Sequence, residues 1–136
     1  MTPTGIRGLR HVALNVSDIR TSQTFYERIF GMRVVWQPDA TSVYLSSGID
    51  NLALHQLPPD KLPAFHGDHG QRLDHFGFLM ESPESVDAMF RYVQAEGVPV
   101  VKPPKRHRDG SYSFYISDPD NNIVQILFEP TVSQHK

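Results

Sequence analysis

Apolar and polar residues alternate along eight short stretches of the chain, the mark of half-buried strands, and two longer stretches carry apolar residues at helical spacing. Strands are predicted at 9–16, 33–36, 42–47, 52–57, 73–80, 98–102, 112–117 and 122–128. Ser22, Phe25, Tyr26, Ile29 and Phe30 form the first helical stripe, with Asp18 as N-cap and Gly31 as the stop. Val86, Met89, Phe90 and Val93 form the second, with Ser82 as cap, Pro83 at the first helical position and Gly97 as the stop. The order is strand–helix–strand–strand–strand, twice over.

The two halves are copies in register. Leu9-Arg-His-Val-Ala-Leu-Asn-Val16 matches Leu73-Asp-His-Phe-Gly-Phe-Leu-Met80, which sets His11 and His75 64 residues apart. The same shift carries Ser22, Phe25, Tyr26 and Ile29 onto Val86, Met89, Phe90 and Val93. The 136 residues are therefore expected to make a single domain of two modules, 8–57 and 73–130, joined by a connector over 58–72 that is rich in proline, glycine and histidine. A module of roughly 50 residues cannot close a core by itself. The modules are expected to pair, within one chain or between two copies, and a homodimer is the expected assembly.

Alternation then sorts the polar residues by face. Val12, Leu14 and Val16 belong under the first helix, leaving His11, Ala13 and Asn15 on the opposite face. Phe76, Phe78 and Met80 take the equivalent positions in the second module, leaving His75, Gly77 and Leu79 opposite. In the last strands of the modules, Asp50-Asn-Leu-Ala-Leu-His55 aligns with Asp120-Asn-Asn-Ile-Val-Gln125, which leaves His55 and Gln125 on that same face. A strand histidine is often a hydrogen-bonded rim or core residue. A quartet of His11, His55, His75 and Gln125 at repeat-related positions points instead to a bound divalent metal, since imidazole suits Fe, Mn, Ni and Zn.

Composition narrows the chemistry further. With no cysteine in the chain, disulfides, thiolate metal sites and thiol nucleophiles are excluded, so a metal must be held by nitrogen and oxygen. Thirteen basic and fifteen acidic residues give a net charge of −2, which argues against general nucleic-acid or membrane-surface binding. No apolar run approaches the length of a membrane span, and the first residues lack a signal-peptide pattern, so the expected location is the cytoplasm. Lys102, Lys105, Arg106 and Arg108 cluster beside His107, read either as a solvated loop or as an attractor for an anionic substrate. Trp36, Tyr44, Phe65 and Tyr112 could wall a pocket or simply pack. His66, His69 and His135 fall in connector or tail.

These segments resemble the vicinal oxygen chelate superfamily, which includes glyoxalase I, fosfomycin-resistance proteins, bleomycin-binding proteins and extradiol dioxygenases. The resemblance spans about residues 8–130. It rests on the two histidine strands, Phe25-Tyr-Glu-Arg-Ile-Phe-Gly-Met32, and Asp118-Pro-Asp-Asn-Asn-Ile-Val-Gln125. It implies an α+β fold in which two βαβββ modules pair into an open, cup-shaped mixed sheet with helices outside. It also implies a divalent metal acting as Lewis acid on neighbouring oxygens of a small substrate, anionic or aromatic in character. Position by position, His11 and His75 match the family's histidine ligands, Gln125 stands where a glutamate is usual, and His55 matches a fourth ligand position. Lys105 to Gln125 is similar to the extradiol dioxygenase signature, with His107 and Tyr115 at its acid/base positions, though Lys105, Asn121 and Gln125 depart from it. The resemblance thus implies a lyase, isomerase or dioxygenase. The alternatives are a metal-free protein sequestering a drug or aromatic ligand, as bleomycin-resistance proteins do, and a non-catalytic structural dimer.

Overall fold

The computed structural model describes residues 9–65 and 73–131. The chain divides into two compact units, Met1–His69 and Gly70–Lys136. In the first, strand β1 (His11–Val16) leads into helix α1 (Ile19–Phe30) and then strands β2 (Arg33–Asp39), β3 (Ser42–Ser46) and β4 (Asn51–Gln56). The sheet order is β1-β4-β3-β2, with β1 parallel to β4 and the other pairs antiparallel. A 3₁₀ turn at Pro59–Lys61 and a short helix α2 (Leu62–Phe65) follow. The second unit repeats the plan with β5 (Phe76–Leu79), α3 (Pro83–Ala95), β6 (Val100–Arg106), β7 (Tyr112–Ser117) and β8 (Ile123–Phe128), ordered β5-β8-β7-β6. Two four-stranded mixed sheets with helices, neither closed into a barrel, are the α+β arrangement that the resemblance implies.

The helices form where the sequence punctuates them. Asp18 caps α1 by accepting from the Thr21 N–H at 3.0 Å, and Gly31 ends it at φ 63°, a left-handed conformation that glycine adopts without strain. Ser82 and Ser85 form a reciprocal capping box at the start of α3, with Pro83 at its first turn. Ser22, Phe25, Tyr26 and Ile29 of α1 are buried, as are Leu14, Val16, Val43, Leu45, Leu52 and Leu54 of the strands in the same unit. In the second unit Val86 and Val93 of α3 are buried along with Phe114, Ile116, Val124 and Ile126, and Phe90 meets Phe114 edge-on at 5.2 Å. These apolar rows carry one strand parity, so the other parity is left for polar groups.

Strand β5 starts at Phe76, later than the expected residue 73, and two further strands run beyond their expected ends, for one reason. Strand β6 runs on through Lys102-Pro-Pro-Lys-Arg106, where a solvated loop is one reading of the sequence, and β2 runs past Trp36 through Pro38 to Asp39. Both are outer strands of their sheets, where proline sacrifices no ladder bond on the open side. Each is also irregular, with register shifts on both sides of Trp36 and of Lys102. His66 and His69, and the tail with His135, lie outside the described residues. No helix among the described residues is long and apolar enough to cross a membrane.

Candidate functional site

In the first unit His11 opens β1, level with Asn51 of β4, and its Nδ1 lies 2.8 Å from the Asn51 side-chain oxygen. His55 stands further along β4, level with Asn15 and with Ser42. Its Nδ1 lies 3.1 Å from Ser42 Oγ, and its ring meets Tyr44 edge-on at 6.0 Å. Tyr44 in turn lies 4.9 Å from Trp36, whose side chain is well exposed. An aromatic strip, Trp36–Tyr44–His55, thus crosses the face opposite α1.

In the second unit His75 directly precedes β5, with its Nδ1 2.6 Å from the Asp74 carboxylate. Its ring meets Tyr115 edge-on at 5.3 Å. Gln125 lies level with Gly77 on one side and Tyr115 on the other. Its amide nitrogen donates to Ser113 Oγ at 3.0 Å and to the Tyr115 hydroxyl at 3.1 Å. His107 Nε2 is 3.5 Å from the same Ser113 oxygen, and Lys102 Nζ lies 5.7 Å from the centre of the Tyr115 ring. Four residues picked from the sequence, His75, His107, Tyr115 and Gln125, therefore form one polar cluster in this unit, knitted together by Ser113. Sequence reasoning passes over Ser113, although its parity on β7 matches that of Tyr115 and assigns it to this face.

The strand register revises the repeat alignment at one point. Gln125 is level with Gly77, two residues beyond His75. The corresponding position in the first unit, level with Ala13 and two residues beyond His11, is Ala53 and not His55. His55 lies level with Asn15, four residues beyond His11, or about 13 Å at strand rise. The register places an alanine methyl where a fourth donor would correspond to Gln125.

The local geometry suits metal coordination by the histidines. Each of His11, His55 and His75 has Nδ1 beside an oxygen partner, which fixes the ring and leaves Nε2 to coordinate; Asp74 beside His75 is a carboxylate–imidazole pair of the kind that orients metal ligands. Gln125 has both amide protons committed, so its carbonyl oxygen is the side-chain atom that could coordinate a cation. Among the described residues no three His, Asp or Glu side chains gather into a metal-binding group, and the quartet is divided between the two units.

Loop chemistry holds the strand that carries Gln125. The buried Asp118 carboxylate accepts from the N–H groups of Asp120 and Asn122 and from the Asn122 amide at 2.8–2.9 Å. Asn121 sits at φ 65°, which asparagine tolerates better than most residues and glycine better still. This accounts for the Asp-Pro-Asp-Asn-Asn turn. Around His107, Ser111 hydrogen bonds hold the Asp109 carboxyl below its ordinary range. Tyr112 donates to Asp87 of α3 at 2.5 Å, and that bond pushes its phenol up.

Comparison with known proteins agrees with the fold. The Glyoxalase/Bleomycin resistance protein/Dioxygenase superfamily model matches residues 8–126. A metallothiol transferase FosB of Bacillus licheniformis is 29% identical over 121 residues, covering 89% of this chain and 75% of its own length. A trivalent organoarsenical cleaving enzyme of Bacillus sp. strain MD1 is 29% identical over 126 residues, covering 89% and 73%. Among solved structures, lactoylglutathione lyase from Agrobacterium tumefaciens superposes with a TM-score of 0.72 at 25% identity, covering 90% of this chain and 94% of that one.

Proposed function

We propose, from the premise that the chain belongs to the Glyoxalase/Bleomycin resistance protein/Dioxygenase superfamily, that it is a metal-dependent enzyme acting on a small oxygen-bearing substrate. The observation that carries this reading is the pinning of His11 and His75 through Nδ1, which reserves Nε2 of each for a cation. His11, His75 and the Gln125 oxygen are the proposed donors, with Fe, Mn, Ni or Zn as the candidate ions. His55, level with Asn15 and beside Tyr44, is proposed as a further group of the site, either a fourth donor or a contact to substrate. Three donors leave coordination positions open. A bound divalent cation there supplies Lewis-acid polarisation of neighbouring substrate oxygens. Tyr115 and His107 are the proposed proton-handling groups of the site. The metallothiol transferase and organoarsenical-cleaving relatives add support for a metal-dependent reaction on a small molecule. A homodimer is the proposed assembly.

Elemental analysis after gentle purification tests this. Stoichiometric transition metal is expected in the parent and loss of most of it in His11→Ala/His75→Ala. Equal metal in both proteins would defeat the assignment.

A second reading, sequestration of a flat apolar ligand without metal, draws on the exposed Trp36 beside Tyr44. Thermal shifts separate the two. Stabilisation by divalent ions that chelator reverses supports the enzyme; indifference to every ion with stabilisation by an aromatic ligand supports sequestration.

A further inference from the structure

Gln125 does more than present an oxygen. A glutamine amide has two N–H donors, and here both point at hydroxyls, Ser113 Oγ at 3.0 Å and Tyr115 Oη at 3.1 Å. A hydroxyl that accepts still has its own proton to give. Ser113 is buried, and the neighbour placed to take its proton is His107 Nε2, at a long 3.5 Å. Among the described residues, no acceptor takes the Tyr115 proton. Beside it stand the edge of His75 and, over the ring, the Lys102 ammonium. With a carboxylate at 125 the polarity would reverse, because a carboxylate accepts only. Both hydroxyls would then donate inward and nothing would be left to donate outward. Tyr112 on the same strand shows that arrangement, with its proton given to Asp87.

We propose that glutamine at 125 sets the direction of this hydrogen-bond chain and thereby selects the class of ligand, an oxygen-centred anion that takes the Tyr115 proton in hydrogen bonding, with Lys102 as the supporting charge. Ser113 and Tyr115 act as positioning residues for the amide. Ser113 sets which edge of Gln125 faces inward, and Tyr115 faces the ligand as well. Gly77 is a precondition, because a Cβ there would lie 3.0 Å from the Gln125 backbone oxygen and 3.2 Å from its Cβ. The inference rests on the metal-site reading for the place of the ligand, and not for the direction of the chain.

Two measurements on the full chain test it. In metal-free protein, hydrogen exchange of the Gln125 side-chain amide is followed by NMR. Both protons should be protected, Tyr115→Phe should release one and Ser113→Ala the other. Free exchange of both in the parent would overturn the proposal, whatever the metal result. In Mn²⁺-loaded protein, oxalate serves as the anionic probe in calorimetry. Tyr115→Phe should weaken oxalate roughly ten- to hundredfold, as expected for a hydrogen bond to a charged group. Gln125→Glu should tighten Mn²⁺ while weakening oxalate, and Tyr115→Phe made on that background should cost nothing more. The added charge alone would split the two affinities in this way, so the Tyr115→Phe step on the Gln125→Glu background, and not the split, decides the role of the tyrosine. Unchanged oxalate binding in Tyr115→Phe, or a full further loss on the Gln125→Glu background, would overturn the proposal. A parent that holds none of Mn²⁺, Fe²⁺, Ni²⁺ and Zn²⁺ refutes the metal reading, and the amide exchange then decides the direction of the chain alone.

Discussion

At the scale of single residues, room and hydrogen bonding matter more than charge. Gly77→Ala puts a methyl group against Gln125, and overpacking of this kind costs about 1–3 kcal/mol. A lower midpoint in urea together with weaker metal retention is the expected outcome. Asp118→Ala removes the acceptor for two backbone N–H groups and the Asn122 amide, and leaving such groups unpaired costs about 1–3 kcal/mol. Asn121→Gly relieves a left-handed position and should be neutral or stabilising in the same assay. Which side chains share a face is legible from alternation, which groups His75 with Gln125, while Tyr115 is picked out by the resemblance. How far along a strand they sit is not legible. Parallel pairing of β1 with β4 is fixed by the whole sheet, and a slip of two residues keeps every side chain on its face. His55 can therefore align with Gln125 in sequence and still stand level with Asn15.

At the scale of elements, the caps and stops read from sequence are the ones that form, because their chemistry is local. Ser82→Ala opens the capping box of α3 and should cost about 1 kcal/mol, measured by denaturant unfolding. Asp18 at the start of α1 is held below its ordinary value of 3.8 by the Thr21 N–H. A lowered carboxyl stabilises above its unfolded value, and that contribution disappears as pH falls through the folded one. Tyr112 behaves oppositely. Its bond to Asp87 raises it above 10.0, so its contribution is complete below that value and is lost as pH rises through the folded one. Tyr112→Phe should flatten the alkaline limb of a stability–pH curve and leave the acid limb in place. The outer strands are the elements least legible in sequence. Prolines and register shifts hide the period-two pattern in β2 and β6, so alternation places their ends short.

At the scale of the whole molecule, the repeat makes two units of one plan, each with its own sheet and helix. The proposed donors draw His11 from the first and His75 and Gln125 from the second. A cation held by all three would tie the unfolding of the units together. Metal at a hundred times its dissociation constant should add about 2.7 kcal/mol, and chelator should remove that increment from the whole transition. A scan in which metal shifts only part of the transition would contradict the shared site. The outer strands carry a further consequence. A strand margin that is long, straight and fully hydrogen-bonding is a template for its neighbours in a concentrated solution. Pro38 on β2, and Pro103 and Pro104 on β6, interrupt that template where each margin is already kinked and, on β6, flanked by Lys102 and Lys105. Replacing Pro103 and Pro104 with valine and threonine would leave the core untouched. It should nonetheless shorten the time this chain remains clear of fibrillar aggregates during incubation, as a thioflavin assay would record.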